Sequence, residues 1–406
     1  GPAALYTTQY LLKHLGLNPS TKINVDIYEK LPVPFGLVRY GVAPDHQDVK
    51  NVIKSFTDTL RNEQVNFFGN VNIGTDLRIN ELLDAYNCVV LAYGSHSENY
   101  LNVPGEKEFS NFVSAKSFVS WYNGVPEADG FKLNLSCKRA LIIGAGNVSL
   151  DIARILLSPT DKLSRTDISH GALEIIKKTN QIEHVAIVAR RGLLNAAFTL
   201  KELRELSKID GVECKLDASQ FDEIEYERTV GKLARPRKRL VEFMHSLATK
   251  SATSSAKKRL ELMFMRTPKE ILGSRETKAV SGASFKLNKY DVAFSDPNLK
   301  LDDEKHLNEL KLVDDGGREE RIDADLVIRS IGYKNVNIDE SIPFDKKQGV
   351  VPNEHGKVLG KEGLYCTGWI KRGPRGVIVD TTSDAYETAH KICSNLTDPA
   401  GTSLLA

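Results

Sequence analysis

The feature that most constrains the fold is an apolar run that ends in a glycine-rich turn and continues as a helix-patterned segment. The run Ala140–Ile143 leads into Gly144, Gly146 and Ser149 with the spacing G-x-G-x-x-small, and the apolar periodicity continues to Leu157. Glycines let backbone N–H groups approach a pyrophosphate, and the dipole of the following helix favours the anion. The sequence therefore predicts a dinucleotide-binding turn, with Ser149 in place of the usual Gly or Ala at the third position.

The next predicted strand indicates which nucleotide this turn binds. The run His184–Ala189 has strand character and ends at Arg190 and Arg191, where NAD-binding units carry an acid for the ribose 2′-hydroxyl. Two guanidiniums there suit a 2′-phosphate, which they can bind bidentately. We expect an NADP(H) site; the alternative is a pair of solvated arginines at a strand end.

The N-terminal part of the chain has the pattern of a second dinucleotide unit. Helix periodicity runs through Leu12, and a strand-like run, 24–28, ends at Glu29, an acid that can accept both ribose hydroxyls and would repel a 2′-phosphate. The strand and the first glycine that should precede Gly1 are absent, so we expect the chain to begin inside this fingerprint, after any targeting peptide. The two sites should therefore hold different nucleotides.

Composition and charge set broad limits on function. A chain of 406 residues is long for a single core and predicts two domains. The net charge of +2 gives no overall field that attracts nucleic acid, and no apolar run has the length of a transmembrane helix.

The cysteines argue against a dithiol redox centre. There is no C-x-x-C and no spacing typical of metal ligands, so we predict buried thiols, a reduced compartment and no metal site. This disfavours a disulfide reductase. The five are Cys88, Cys137, Cys214, Cys366 and Cys393.

Four segments together carry a family resemblance. Residues 32–46 (PVPFGLVRYGVAPDH) are too rich in Pro and Gly for a helix or a central strand and too apolar for an ordinary loop. With 144–157, the ARRG at 189–192 and the GWIKRGPRGVI at 368–378, they resemble the mitochondrial adrenodoxin reductase family of NADPH-ferredoxin reductases. The resemblance implies an α/β fold with two Rossmann-like domains in a glutathione-reductase-like arrangement. It implies an FAD domain at 1–105 and 332–406 and an NADP domain at 106–331.

The resemblance also implies roles for individual residues. It suggests His46 and Asp151 as catalytic residues, which we expect to form a hydrogen-bonded pair that positions the loop and handles a proton. Arg375 departs from the small polar residue usual in the family. A helix is expected from about Thr381 to Ser394. The implied FAD contacts are Ala3, Glu29, Leu37, Ile73, Trp369, Gly376, Val377 and Ile378, and the implied nicotinamide nucleotide contacts are Ala145, Gly146, Asn147, Val148, Arg190, Arg191 and Glu202.

A short basic segment, 235–239, holds four cations in a nearly neutral chain. Such a run is often a solvated face or a nucleic-acid patch. By resemblance, Arg235 and Arg239 instead face a small acidic [2Fe-2S] ferredoxin, which a basic patch would steer into contact. The following tract, 246–258, is expected to be a surface insertion.

The expected activity is transfer of a hydride from NADPH to FAD, followed by two single-electron transfers to a [2Fe-2S] ferredoxin that serves mitochondrial biosynthesis. A flavin-dependent monooxygenase and a nucleotide sensor are the alternatives. The resemblance further implies a monomer in the mitochondrial matrix, with peripheral association with the inner membrane left open.

Overall fold

The computed structural model describes residues 1–15, 23–250 and 256–397. Their contacts divide the chain into two compact units. Unit 1 comprises Gly1–Val42, His46–Asn99 and the chain from Gly332 onward, and unit 2 comprises Ala43–Asp45 and Tyr100–Ile331. In sequence, most of unit 2 is thus inserted into unit 1.

Helices and strands alternate through most of the described chain. The α-helices are α1 (Pro2–Leu15), α2 (Leu37–Tyr40), α3 (Val52–Leu60), α4 (Ile79–Ala85), α5 (Ala115–Tyr122), α6 (Asn147–Leu157), α7 (Thr160–Leu163), α8 (His170–Thr179), α9 (Leu200–Leu206), α10 (Ser219–Glu223), α11 (Tyr226–Thr229), α12 (Arg235–Thr249), α13 (Glu304–Glu309), α14 (Trp369–Arg372) and α15 (Ile378–Thr397). The strands are β1 (Val25–Glu29), β2 (Val65–Gly69), β3 (Val89–Leu91), β4 (Ser97–Glu98), β5 (Phe112–Ser114), β6 (Arg139–Ile143), β7 (His184–Val188), β8 (Val212–Leu216), β9 (Lys258–Met263), β10 (Arg266–Gly273), β11 (Val280–Tyr290), β12 (Leu312–Asp323), β13 (Leu326–Arg329), β14 (Tyr333–Lys334), β15 (Asn353–Glu354), β16 (Lys357–Val358) and β17 (Leu364–Cys366).

Unit 2 is built on a six-stranded sheet in the order β5-β13-β6-β7-β9-β8, and all of its strand pairs are parallel. Central parallel strands are covered on both faces, which explains the unbroken apolar run of β6. Ala140 and Ile142 pack on the side that carries α6, whereas Leu141 and Ile143 pack on the opposite side with Ile271 of β10. The antiparallel sheet β10-β11-β12 thus covers the second face. These layers confirm the predicted α/β class.

Unit 1 contains a parallel pair, β1-β2, a four-stranded sheet in the order β15-β16-β17-β3, and the short pair β14-β4. Helices α1 and α15 pack together through Leu11, Leu15, Ala389 and Ile392, and Tyr365 of β17 lies in the same cluster. The helix periodicity at the N-terminus therefore reflects a face that α15 covers. None of the described helices is both long and apolar enough to cross a membrane.

Three boundaries differ from the sequence-based expectation. The Pro- and Gly-rich segment contains the one-turn helix α2, which begins after Gly36 at φ 51°. Helix α15 begins at Ile378 rather than Thr381, because the Asp380 carboxylate accepts the Val377 N–H at 2.8 Å and caps the first turn. Helix α12 continues through Thr249 into the expected insertion, of which 251–255 lie outside the described residues.

Candidate functional site

The glycine turn of unit 2 lies at the carboxyl end of β6, as predicted. Gly144 has φ 117°, and a Cβ there would lie 2.0 Å from the Ser330 carbonyl oxygen, so a side chain is excluded by backbone. By contrast, a Cβ on Gly146 would meet nothing within 4 Å. The turn thus has one glycine for close packing and one that faces open space, where a ligand could approach the backbone.

Helix α6 begins directly after this turn, so Ala145, Asn147 and Val148 lie at its N-terminus. The Ser149 hydroxyl accepts the Gly146 N–H at 3.4 Å and donates to the Ser330 hydroxyl at 2.9 Å. Ser149 is completely buried. The unusual third residue of the fingerprint therefore ties the helix start to the chain that leaves β13, a role that alanine could not fill.

The two arginines lie at the same edge of the sheet as the glycine turn. Strands β6 and β7 are adjacent and parallel, with Ile143 opposite Val188, so Gly144 and Arg190 follow neighbouring strand ends. Arg190 is exposed, and its carbonyl oxygen accepts the Asn288 side-chain N–H at 3.1 Å. Arg191 donates to the Asn308 side-chain oxygen at 2.8 Å. The Arg191 carbonyl oxygen also accepts the Met265 N–H at 3.3 Å. Both backbones are thus anchored, the Arg191 guanidinium is bound to Asn308, and the Arg190 guanidinium is exposed at the surface.

Two predicted carboxylates of unit 2, Asp151 and Glu202, meet at a residue that the sequence did not reveal. Arg154 of α6 contacts Asp151 at 2.7 Å and Glu202 at 3.4 Å, and it also pairs with Asp45. Burial alone would lower the pKa of this guanidinium, but the hydrogen bond from Arg154 to Asp45 and the charge of Asp151 raise that pKa above its usual value. The cluster is thus permanently ionised on its cationic side.

His46 belongs to unit 1, where it is 9% exposed and its carbonyl oxygen accepts the Val49 N–H at 3.1 Å. Asp151 belongs to unit 2. The hydrogen-bonded pair of His46 and Asp151 therefore stays a prediction.

In unit 1, Glu29 lies at the carboxyl end of β1, as predicted. Its side chain is 19% exposed, and its Oε1 accepts the Leu31 N–H at 3.2 Å. This contact orients the carboxylate at the strand end, where an acid can accept ribose hydroxyls. Ile73 follows β2 in the chain and makes an isolated bridge to Leu77.

The N-terminus of α1 brings together residues that are distant in sequence. A Cβ on Gly368 would lie 2.7 Å from the Cβ of Ala3, and a Cβ on Gly36 would lie 3.0 Å from the Cα of Gly1. Ala3 is therefore next to the residue that precedes Trp369, and the segment leading into Leu37 approaches the same helix end. Close backbone contact of this kind needs glycine.

The segment around Trp369 is fixed by polar groups that sequence reasoning missed. The Asp384 carboxylate accepts the Gly368 N–H, and the Lys371 ammonium contacts Asp384 at 3.0 Å. Asn335 donates to the Trp369 carbonyl oxygen at 2.7 Å. Trp369 itself is only half-buried, with its ring 5.5 Å from that of Tyr333, so it is not a residue of the closed core.

The loop after Trp369 leads directly to the start of α15. Gly376 has φ 81°, and a Cβ there would lie 2.2 Å from the Asp380 carboxylate that caps the helix. Val377 is 53% exposed and Arg375 is exposed. The predicted contacts Gly376, Val377 and Ile378 thus form the N-terminal approach to a long helix.

All five cysteines lie in the described part of the chain, and none of them forms a disulfide. Burial raises the pKa of the Cys88 and Cys137 thiols to about 11 and that of Cys214 and Cys366 to about 12. Burial also raises the pKa of the Cys393 thiol. They stay protonated at neutral pH, which makes them poor nucleophiles.

The basic segment at the start of α12 divides into two kinds of arginine. Arg237 is 12% exposed, contacts Glu304 at 2.7 Å and donates to the Ala196 carbonyl oxygen at 2.6 Å. Arg235 and Arg239 are exposed. Arg237 is therefore structural, and Arg235 and Arg239 are the two arginines of this segment that are exposed at the surface.

A glycine turn between a parallel strand and a helix, with arginines at the neighbouring strand end, defines a dinucleotide-dependent α/β protein. No protein-family model matches the chain. It is 43% identical to the mitochondrial NADPH:adrenodoxin oxidoreductase of Bos taurus, over 98% of this chain and 77% of that protein. It is 38% identical to the NADPH-ferredoxin reductase FprA of Mycobacterium tuberculosis, over 98% of this chain and 82% of that protein.

Solved structures agree with these relatives. The structure of M. tuberculosis FprA in complex with NADPH matches with a TM-score of 0.87 and 37% identity, covering 98% of this chain and 83% of that one. A thioredoxin reductase from T. acidophilum shares the fold, with a TM-score of 0.51 and 14% identity, over 98% of this chain and 96% of that chain. The chain therefore belongs to the family of NADPH:adrenodoxin oxidoreductases and NADPH-ferredoxin reductases, and the predicted family is confirmed.

Proposed function

We propose that this protein is an FAD-dependent reductase that oxidises NADPH and reduces a small acidic [2Fe-2S] ferredoxin. The observation that carries the proposal is the edge of the unit 2 sheet, where the open Gly146 turn and Arg190 follow neighbouring strands. That arrangement suits a pyrophosphate and a 2′-phosphate on one nucleotide. The assignment of FAD and of a ferredoxin acceptor is supported by membership of a family whose relatives are named for NADPH and for adrenodoxin or ferredoxin.

The residues of unit 1 fit a second, different nucleotide. Glu29 is held at a strand end, and at the start of α1 Gly368 lies against Ala3 and Gly36 lies against Gly1, so backbone rather than larger side chains borders this helix end. We assign FAD to unit 1 and NADP(H) to unit 2. When bound, FAD accepts the two electrons of a hydride together and releases them one at a time, which a [2Fe-2S] acceptor requires.

The chain's own residues then have positioning roles. Ala145, Asn147 and Val148 would hold the pyrophosphate of NADPH, and Arg190 and Arg191 the 2′-phosphate. Glu202 and Asp151 would lie on the nicotinamide side. In unit 1, Glu29 would hold ribose hydroxyls, while Trp369 and the start of α15 would contact the flavin, with the helix dipole favouring negative charge.

The assay that tests the proposal is NADPH-driven reduction of an acidic [2Fe-2S] ferredoxin, titrated with salt. We expect the rate to fall as ionic strength rises, because screening weakens steering. A monooxygenase would instead consume oxygen in the presence of NADPH without ferredoxin, and that result would contradict the proposal.

Arg235 and Arg239 are proposed as the ferredoxin-docking residues, since they are exposed at one helix end while Arg237 is engaged. Replacing both with glutamate should raise the KM for ferredoxin by roughly 10-fold or more at low salt. NADPH-dependent reduction of ferricyanide, which needs no protein docking, should be unchanged. The matched control exchanges two other exposed arginines of unit 2, Arg318 and Arg321; an equal loss there would refute a specific patch.

His46 and Asp151 are proposed to handle a proton during turnover. Replacing His46 with alanine should lower the NADPH-to-ferricyanide rate and the ferredoxin rate together, by roughly 100-fold if it acts as a general acid or base. The control is His390→Ala, at an exposed position of unit 1. If His46→Ala leaves both rates untouched, His46 has no part in the chemistry.

A mitochondrial location is proposed as well, because relatives named as mitochondrial are similar along nearly the whole chain. A bacterial relative is similar over the same length, so fractionation of the source cells is the deciding test. A monomeric state and peripheral contact with the inner membrane belong to the same proposal and can be measured by sedimentation and by vesicle binding.

A further inference from the structure

Arg154 is a buried cation that collects three carboxylates in unit 2. Its side chain is 5% exposed. The Nε and Nη2 atoms both donate to Asp45, with Nη2 3.0 Å from Oδ1, and Nη2 also donates to Asp151 at 2.7 Å. The Nη1 atom donates to Glu202 at 3.4 Å. All three nitrogens of the guanidinium thus donate hydrogen bonds to carboxylates.

The three acids come from separate places in the chain. Asp151 lies one turn before Arg154 on α6, Glu202 lies in the first turn of α9, and Asp45 belongs to the short piece Ala43–Asp45. Among the described residues before Tyr100, this piece alone belongs to unit 2. It has a second, weaker tie, since the Pro44 carbonyl oxygen accepts the Asp167 N–H at 3.4 Å. The ion pair between Arg154 and Asp45 therefore anchors this piece within unit 2.

Only arginine satisfies this arrangement. Its five N–H donors can serve three carboxylates at once, whereas a lysine ammonium is a compact charge on a flexible stem. Losing the guanidinium would leave three acids close together with mutual repulsion. The carboxylates of Asp151 and Glu202 would then move apart, and the chain at Asp45 would lose its bidentate contact.

We propose that Arg154 is a positioning residue for the reduction of the flavin by NADPH. It holds the carboxylates of Asp151 and Glu202 in fixed positions beside α6, the helix that follows the nucleotide-binding turn. It also fixes Asp45, the residue that directly precedes His46. Arg154 acts through these acids and does not itself contact a reacting atom. The inference rests on the proposed function.

The test compares Arg154→Lys and Asp45→Asn with the matched control Glu106→Gln. Glu106 and Arg329 form another buried ion pair of unit 2, 2.6 Å apart and with each side chain 5% exposed. The Glu106→Gln variant therefore reports the general effect of breaking a buried ion pair. Each purified holoenzyme is assayed for kcat and KM with NADPH and ferricyanide, for flavin content and for its thermal midpoint.

We expect Arg154→Lys and Asp45→Asn to lower kcat by roughly 10-fold or more, because small misplacement of reacting groups is costly. The NADPH KM should change by less than about threefold, since the 2′-phosphate and pyrophosphate contacts remain. Glu106→Gln should lower the thermal midpoint and keep kcat. If Arg154→Lys does not fold, Asp45→Asn, which is nearly isosteric, decides the question alone.

Two results would overturn the inference in an active wild-type enzyme. One is an unchanged kcat in Asp45→Asn and in any folded Arg154→Lys protein, and the other is a loss of kcat in Glu106→Gln as large as in those variants. A wild-type enzyme that does not oxidise NADPH would instead refute the proposed function, and this inference with it.

Discussion

Replacing both Arg190 and Arg191 with alanine should raise the KM for NADPH by roughly 100-fold or more, because a hydrogen bond to a charged group contributes about 1.5–3 kcal/mol. The KM for NADH should hardly change, since NADH has no 2′-phosphate. Steady-state kinetics with each nucleotide measure both values. The structure supports this large effect because both arginines follow β7 closely and their carbonyl oxygens accept hydrogen bonds from Asn288 and Met265, while the Arg190 side chain is exposed.

The control for this pair is Arg228→Ala, an exposed arginine of unit 2 that contacts Glu225 at 2.8 Å. It removes one positive charge without touching the sheet edge. If the arginine double variant raised the two Michaelis constants equally, the assignment of a 2′-phosphate to this edge would be wrong. If only the KM for NADPH rose, general unfolding would also be excluded as the cause.

Local sequence signals identified the elements that carry short-range patterns. The apolar run of β6 was visible because a parallel strand is buried on both faces, and α6 was visible because almost all of its residues after Val148 are buried. The end of β7 was visible because Arg190 and Arg191 follow an apolar run without a break. In each case the proposed ligand-binding residues lie within a few residues of the end of the strand that positions them.

Long-range polar contacts had no such signal. Arg154 and Asp45 are 109 residues apart, and the Gly368 N–H finds its acceptor on Asp384, which lies on a different element. The spacing of Asp151 and Arg154 is a helical one and could have suggested that pair, but not its further partners. Side-chain capping by Asp380 likewise explains why α15 begins at Ile378 rather than at the expected Thr381.

The two glycines of the nucleotide turn should respond in opposite ways to alanine. At Gly144 a Cβ would lie 2.0 Å from the oxygen and 2.6 Å from the carbon of the Ser330 carbonyl. Both atoms belong to the backbone, and φ is 117°, so no side-chain rotation relieves the overlap. We expect Gly144→Ala to destabilise the protein by about 3 kcal/mol or more, measured by chemical denaturation.

Gly146→Ala is the matched comparison. Its backbone is extended, with φ −107°, and no atom lies within 4 Å of the added methyl group, so stability should change by less than about 1 kcal/mol. The methyl group would instead occupy the space where we place the pyrophosphate, and NADPH binding should weaken by roughly 10-fold or more. If the Gly146→Ala protein is stable and binds NADPH as well as the wild type does, the nucleotide does not lie on the open side of this turn. That conclusion would hold regardless of what Arg190 and Arg191 bind.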